Sequence, residues 1–487
     1  MSVGWIVVSF FTMFVGLGMA EIVSAIPSAG GPYFWAAILA PKKHAPFASW
    51  VTGWFNLLGQ VAITTGITFG AATLVTTLAE VKGFVPTAGR TLGVYAALLF
   101  SHGMVNSFGV HILRYLNNTS IILHSLGVFS LAVACLAKAP HHQSAKFVFA
   151  KFYDGTGIDG PGWSVRASTA YVACCGILMS QYTITGFDAS AHLSEETQNA
   201  SWSAPIGVLT SIGVSFIFGF FLIVSLLFSI QDFDTTVNST YSQPVLQIFI
   251  DIFGENGAIV LMTLIITCVW HCGLFSMTSN SRMMFAFSRD GALPSFFHKV
   301  DKRFRSPIRT IWLAATLSFL LAVPSLGSTV AFTAATSIAT IGLYISYCLP
   351  ILIGLVNPSG FVHGPFNLRA FSRPVALIAC MWVGFITVIF CLPQVNPVNS
   401  QTLNYTPVCV GIIGLWCMTS WIFWARKWFR GPIRQIEAEV AGINVDTPGA
   451  LEEAEAQGKV PHIGSEDTSN GEKSLLAEIA QAHNVKT

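Results

Sequence analysis

The chain has 487 residues, of which 53% are hydrophobic and 10% charged, with a net charge of +2. Soluble domains carry about 25% charged residues, so a water-covered surface for a chain of this length is excluded. The basic residues are dispersed among loops, which removes the clustered cationic face that a nucleic-acid partner requires.

The apolar residues come in blocks of about 20, the length that spans hydrocarbon as a helix. The alternating ten-residue segments of a membrane barrel are absent. The fold class is therefore all-α and integral to the membrane. Eleven apolar spans follow along the chain, at 3–26, 47–79, 91–113, 117–138, 171–192, 203–229, 256–280, 308–326, 329–354, 374–393 and 406–426. The second is too long for one upright crossing, which implies tilt or an interfacial extension. From about 431 the chain turns polar, charged and rich in Gly and Pro, so residues 431–487 are expected to form a disordered tail. All ten cysteines lie within apolar blocks and read as small buried hydrophobes rather than metal ligands or disulfides.

Orientation follows from loop charge. One set of loops, together with the segment after the last span, holds 16 Lys and Arg, among them Lys42, Arg114, Arg303 and Lys427; the other set holds 6. The richer set, and with it the C-terminus, is expected in the cytoplasm. An odd number of spans then places the N-terminus outside, although the chain opens at Met1 already close to its first apolar block. A further span upstream of Met1 would explain both features.

The stretch "YTITGFDASAHLSEET", residues 182–197, puts Asp188 and His192 at the depth of an apolar span. Ionisable groups there are expensive and mark function by default. Gly186, flanked by Thr183, Thr185 and Ser190, weakens the helix. Transporters use such breaks at mid-membrane to present backbone to a solute. The alternative is that Asp188 and His192 only pair with each other or with another helix.

"TGFDASAHLSEETQNASWSAPIG", "AEIVSAIPSAGGPYFWAAILAPKKHAPFASWVTGWFNLLGQ" and "SNSRMMFAFSRDGALP" together resemble, in order, three long motifs of the amino acid–polyamine–organocation (APC) permeases. The branch with GABA, choline and broad amino-acid permeases is the nearest in pattern. The resemblance covers about residues 3–430 and implies a transmembrane permease domain over 1–430. It implies a bundle of two inverted five-helix repeats plus two helices, twelve in all. The spans here map onto the second through twelfth, so the family's first helix is expected to be missing from this chain.

The resemblance also assigns roles. Thr185, Gly186, Phe187, Asp188, Ala189 and Ser190 match the family's broken sixth helix and would contact substrate, with Tyr344 closing the site or serving, with Tyr347, as an interfacial anchor. His124 falls on the span where proton-coupled relatives carry an ionisable group, so His124, Asp188 and His192 are the proton-coupling candidates. Glu195, Glu196, Arg282, Arg289 and Asp290 are candidates for an inner gate. Gly30 and Gly31 would bend a short cytoplasmic connection, and His271, Ser276, Thr278 and Ser279 would line the pathway. The implied function is secondary transport of amino acids or related small amines such as GABA, a polyamine or choline, coupled to protons, across a plasma or vacuolar membrane. A non-transporting sensor or channel on the same scaffold, or an impaired isoform, is the alternative. No nucleotide loop, metal-ligand set or nucleophile–base pair supports an enzyme, and no cofactor is expected.

Overall fold

The apolar spans are largely helical in the structure, a computed structural model that describes residues 2–158, 160–194, 197–301, 303–327, 330–358, 361–400 and 402–432. The polar tail expected from 431 lies outside the described residues from 433 onward. The helices are α1 (Ser2–Ala25), α2 (Pro32–Leu39), α3 (Ala45–Glu80), α4 (Ala88–Phe108), α5 (Val110–Ile122), α6 (Val128–Lys138), α7 (Ala145–Ala150), α8 (Trp163–Arg166), α9 (Thr169–Thr183), α10 (Ala189–His192), α11 (Ala200–Ser229), α12 (Phe233–Val237), α13 (Pro244–Arg289), α14 (Ile308–Ala322), α15 (Val330–Val356), α16 (Ser372–Cys391) and α17 (Thr406–Phe423).

Among the described residues, nine helical stretches are long and apolar enough to cross a membrane. Two of the eleven expected spans do not qualify, and each has a local cause. α4 carries His102, Asn106 and Ser107, which lower its hydropathy and are buried. The span expected at 171–192 is split, because α9 stops at Thr183 and α10 restarts at Ala189.

Two boundaries differ from expectation. The chain between the third and fourth spans is helical rather than looped: α4 ends at Gly109, α5 begins at once, and a π-turn over Leu123–Gly127 joins α5 to α6. α13 reaches well past the expected 256–280, running from Pro244 to Arg289 with a bend at Gly254 (φ 71°).

α3 is the axis of the bundle. At 36 residues it is about 54 Å long, more than the roughly 40–45 Å of a whole bilayer, so it must tilt. It packs chiefly against α15, α13 and α2, while α1 packs against α11 and α16. The α3–α15 contact is close because glycine faces glycine: a Cβ on Gly342 would stand 3.2 Å from Gly59 Cα. Without hydrophobic drive between helices in lipid, such small-residue approaches and polar contacts hold them together. The core around this crossing contains Trp35, Ile63, Phe187, Tyr344 and Tyr347, and α1 contributes Val15 and Met19.

Candidate functional site

The break in the α9–α10 span has a direct backbone signature. Ile184 leaves the helix at φ −98°, ψ 50°, and Gly186 adopts φ 87°, a left-handed conformation that side chains resist. Space is not the reason for glycine here, since a Cβ would meet only Ile63 Cδ1 at 3.7 Å. Freed backbone and side chains find substitutes: Thr185 Oγ1 donates to the Gln181 carbonyl at 2.7 Å, and Tyr344 donates to the Ile184 carbonyl at 3.1 Å. Unwound backbone inside a membrane protein persists only where protein or a cavity satisfies it.

Asp188 and His192 lie just beyond the break, 0% and 1% exposed. Asp188 Oδ1 accepts from the Tyr347 hydroxyl at 2.6 Å, and Oδ2 accepts from Gln60 Nε2 at 2.9 Å. His192 Nε2 stands 3.1 Å from the same Oδ2, and Nδ1 stands 2.8 Å from the carbonyl of Ala29. A carbonyl has no proton to give, so Nδ1 must carry one. The short Nε2–Oδ2 contact then needs a second proton, on imidazole or carboxyl. The pair can thus share one proton between imidazole and carboxyl, while Tyr347 and Gln60 supply two further donors to the carboxylate. The contacts are those of the pairing alternative: Asp188 and His192 pair with each other, and Asp188 also bonds Gln60 on α3 and Tyr347 on α15.

The Ala29 contact ties this unit to the turn between α1 and α2. Gly31 there has φ 57°, and a Cβ on it would lie 2.8 Å from His192 Cε1, so the turn can approach the imidazole only as glycine. Gly30 and Gly31 lie in a turn, as expected of the bend, and the segment after them is a buried helix with Tyr33 and Trp35 fully buried.

Other expected residues sort as follows. Phe187 is buried against Tyr347 (ring centroids 5.0 Å) and Tyr344 (6.2 Å), making an aromatic wall on the break. Ala189 opens α10, and Ser190 Oγ lies within 3.4 Å of the Phe187 and Ala204 carbonyls. Tyr344 and Tyr347 face inward, not toward an interface. Ser276 meets Thr64 at 3.0 Å, and Thr278 donates to Asn106 at 2.7 Å; His271 is buried, with Nδ1 donating to Thr267 of its own helix. His124 is placed elsewhere: it is exposed on the π-turn and its Nδ1 bonds the Ser120 carbonyl one turn back. Tyr33 donates to Asp290 at 2.8 Å, Arg289 Nε lies 3.9 Å from the other oxygen of Asp290, and Arg282 is buried 7% exposed nearby on α13. Glu195 and Glu196 lie outside the described residues.

Sequence reasoning missed Gln60 and Asn280. Gln60 belongs to a stripe on α3, Asn56, Gln60, Thr64 and Thr68, every member buried and four residues from the next. Asn56 donates to Ser346 at 3.1 Å, and Asn280 donates to both the Gln60 carbonyl and Thr64 at 3.2 Å. Polar residues repeating at helical spacing inside an apolar span were the available signal.

A tilted bundle of apolar helices, built around a broken span whose carboxylate, imidazole and tyrosines converge in the interior, defines a polytopic membrane transporter of the helical type. A profile of the amino acid permease family matches residues 1–415, and the chain belongs to that family within the APC superfamily. It is 42% identical over 457 residues to the amino-acid permease BAT1 homolog of Oryza sativa subsp. japonica, covering 90% of this chain and 86% of that one. It is 40% identical to amino-acid permease BAT1 of Arabidopsis thaliana (89% and 86% covered) and 32% identical to an uncharacterised amino-acid permease of Schizosaccharomyces pombe (89% and 80%). Members of this family carry amino acids across membranes and are not enzymes.

Proposed function

We propose that the chain moves amino acids or related small amines, with GABA, polyamines and choline inside the range to be tested, by alternating access driven by protons. The observation that carries this reading is the one-proton Asp188–His192 unit beside the break at Gly186. A substrate ammonium arriving at the break meets the non-helical backbone between Thr183 and Ala189 and the Asp188 carboxylate. It competes with the imidazole for that carboxylate, and the displaced proton leaves by way of His192. His192 also holds the Ala29 carbonyl, so a change in its protonation alters the contact between α10 and the α1–α2 turn. Thr185, Phe187, Ala189, Ser190 and Tyr344 supply the remaining walls, and Tyr33, Asp290, Arg289 and Arg282 form the latch beneath them.

Loop charge supports a cytoplasmic C-terminus and α13–α14 loop, and a plasma or vacuolar membrane is part of the same reading. The test is uptake of labelled amino acids, GABA and choline into proteoliposomes under an imposed pH gradient. Accumulation that collapses with a protonophore is expected. Equal uptake with and without the gradient would remove proton coupling and leave only the family's amino-acid transport.

A further inference from the structure

A cavity of about 350 Å³ lies away from the Asp188 site, between the ends of α1, α2 and α15 and the start of α16. One side is apolar, from Ile22, Leu39, Ile351 and Leu355; the other carries Glu21, His363, Arg369 and Arg373. Glu21 is 3% exposed, and its oxygens are occupied. The backbone N–H of Leu368 donates at 3.2 Å, the Ser372 hydroxyl donates at 2.7 Å, and His363 Nδ1 stands 3.3 Å away. The segment from Phe361 to Leu368 is thereby strapped across α1, and Phe366 N–H adds a bond to Ser24 at 2.9 Å.

The two arginines are different. Among the described residues neither guanidinium has a hydrogen-bond or ion-pair partner, and both are exposed at the cavity. Arg369 also holds φ 53°, a backbone conformation that a non-glycine residue rarely adopts. Two uncompensated cations therefore face one carboxylate that is already satisfied. Val356, Phe371 and Leu377, each next in the chain to a lining residue, are 76%, 72% and 51% exposed, so the surface beside the cavity's helices is apolar.

We propose that this cavity binds a phosphate-bearing ligand, with the phosphate held by Arg369 and Arg373 and apolar substituents laid against Ile22, Leu39 and Leu355. Guanidinium groups match phosphate oxygens in a fork geometry, and a cavity of this size is within the range of small-molecule sites. The chemistry is shared by an anionic phospholipid headgroup and a soluble phosphate ester. The exposed apolar side chains on the adjoining residues favour the lipid. A ligand there would join α1, α15 and α16, the helices that wall the cavity, without touching Asp188.

The experiment uses the full chain purified in detergent, with binding read by thermal shift and native mass spectrometry. The probes are dioctanoyl phosphatidylinositol, dioctanoyl phosphatidylcholine and glycerol phosphate. The double variant R369Q/R373Q is compared with R426Q/K427Q, a pair of exposed cations outside the cavity. Loss of two charge-assisted contacts should weaken phosphatidylinositol binding by at least roughly tenfold in R369Q/R373Q, with little change in R426Q/K427Q. Preference for phosphatidylinositol over glycerol phosphate would identify the lipid as the source. Equal binding of both would support the site with a soluble ester as its ligand. Binding that survives R369Q/R373Q unchanged, or no binding of either anion, overturns the proposal. None of these outcomes depends on proton coupling at Asp188.

Discussion

Replacing Asp188 separates its charge from its hydrogen bonds. Three donors converge on the carboxylate, from Tyr347 at 2.6 Å, Gln60 at 2.9 Å and His192 at 3.1 Å. In Asp188→Asn, the amide oxygen can still accept from Tyr347. The amide nitrogen then faces Gln60, whose side chain must turn its oxygen inward, and His192 Nε2, which must be unprotonated to accept. All contacts survive, but each drops from charge-assisted to neutral strength, so the expected loss of stability is about 1–3 kcal/mol. Asp188→Ala leaves the three donors buried without an acceptor, and the expected loss rises to about 3–5 kcal/mol. Transport should separate the two consequences: Asp188→Asn folds but holds no exchangeable proton at this place, so uptake in proteoliposomes should fall at least roughly tenfold and lose its dependence on the pH gradient. The assay pairs thermal unfolding of the detergent-solubilised protein with uptake across pH 5–8, normalised to incorporated protein. Wild-type uptake with unchanged pH dependence in Asp188→Asn would refute the one-proton unit. Wild-type stability in Asp188→Ala would refute the hydrogen-bond geometry itself.

Gly186→Ala should cost about 1–2 kcal/mol through its φ of 87° alone and reduce uptake, because only Ile63 lies near the new methyl. Gly31→Ala should additionally displace His192, whose Cε1 would be 2.8 Å from the new carbon, and should shift the pH profile of uptake as well as its rate. In the loop between α6 and α9, hydrogen bonds from Ser164 and Thr156 hold the Asp154 carboxyl well below the usual carboxylate range. A group depressed in this way stabilises the folded loop above its ordinary titration range and ceases to do so as pH falls below that range. Trp163, bonded to Thr156 through its backbone, should report loosening of the loop in acid by fluorescence, and Asp154→Asn should show the loosened signal already at neutral pH. Cysteine labelling on intact cells should reach residues 141–158 and spare residues 295–301; the reverse pattern would invert the orientation drawn from loop charge.

The helical spans and the break at Gly186 were legible because both rest on local properties, run length of apolar residues and a glycine among hydroxyl-bearing neighbours. Asp188 and His192 announced themselves by charge in an apolar span. Their partners did not, since Gln60 is 128 residues from Asp188 and Ala29 offers only a backbone carbonyl. His124 shows the reverse failure: the right residue type on the expected helix, but turned outward by the π-turn it occupies. Residue composition cannot report the facing of a side chain where the helical period changes. The helical link through α5 hid for a similar reason, as Arg114 interrupts the apolar run like a loop residue but sits on a helix with no buried face.

The polar stripe on α3 repeats every four residues, whereas the helix turns every 3.6. Each step therefore advances about 40° around the axis, and the three steps from Asn56 to Thr68 sweep about 120°. That drift accounts for the succession of partners, from Ser346 on α15, to Asp188 beside α10, to Ser276 and Asn280 on α13. The stripe is a short spiral, and its first three rungs meet α15, Asp188 and α13 in turn. One residue inserted between Asn56 and Gln60 would swing every later rung by about 100° and hand each to the wrong neighbour. Along this segment the spacing is as much a part of the polar network around Asp188 as the side chains are.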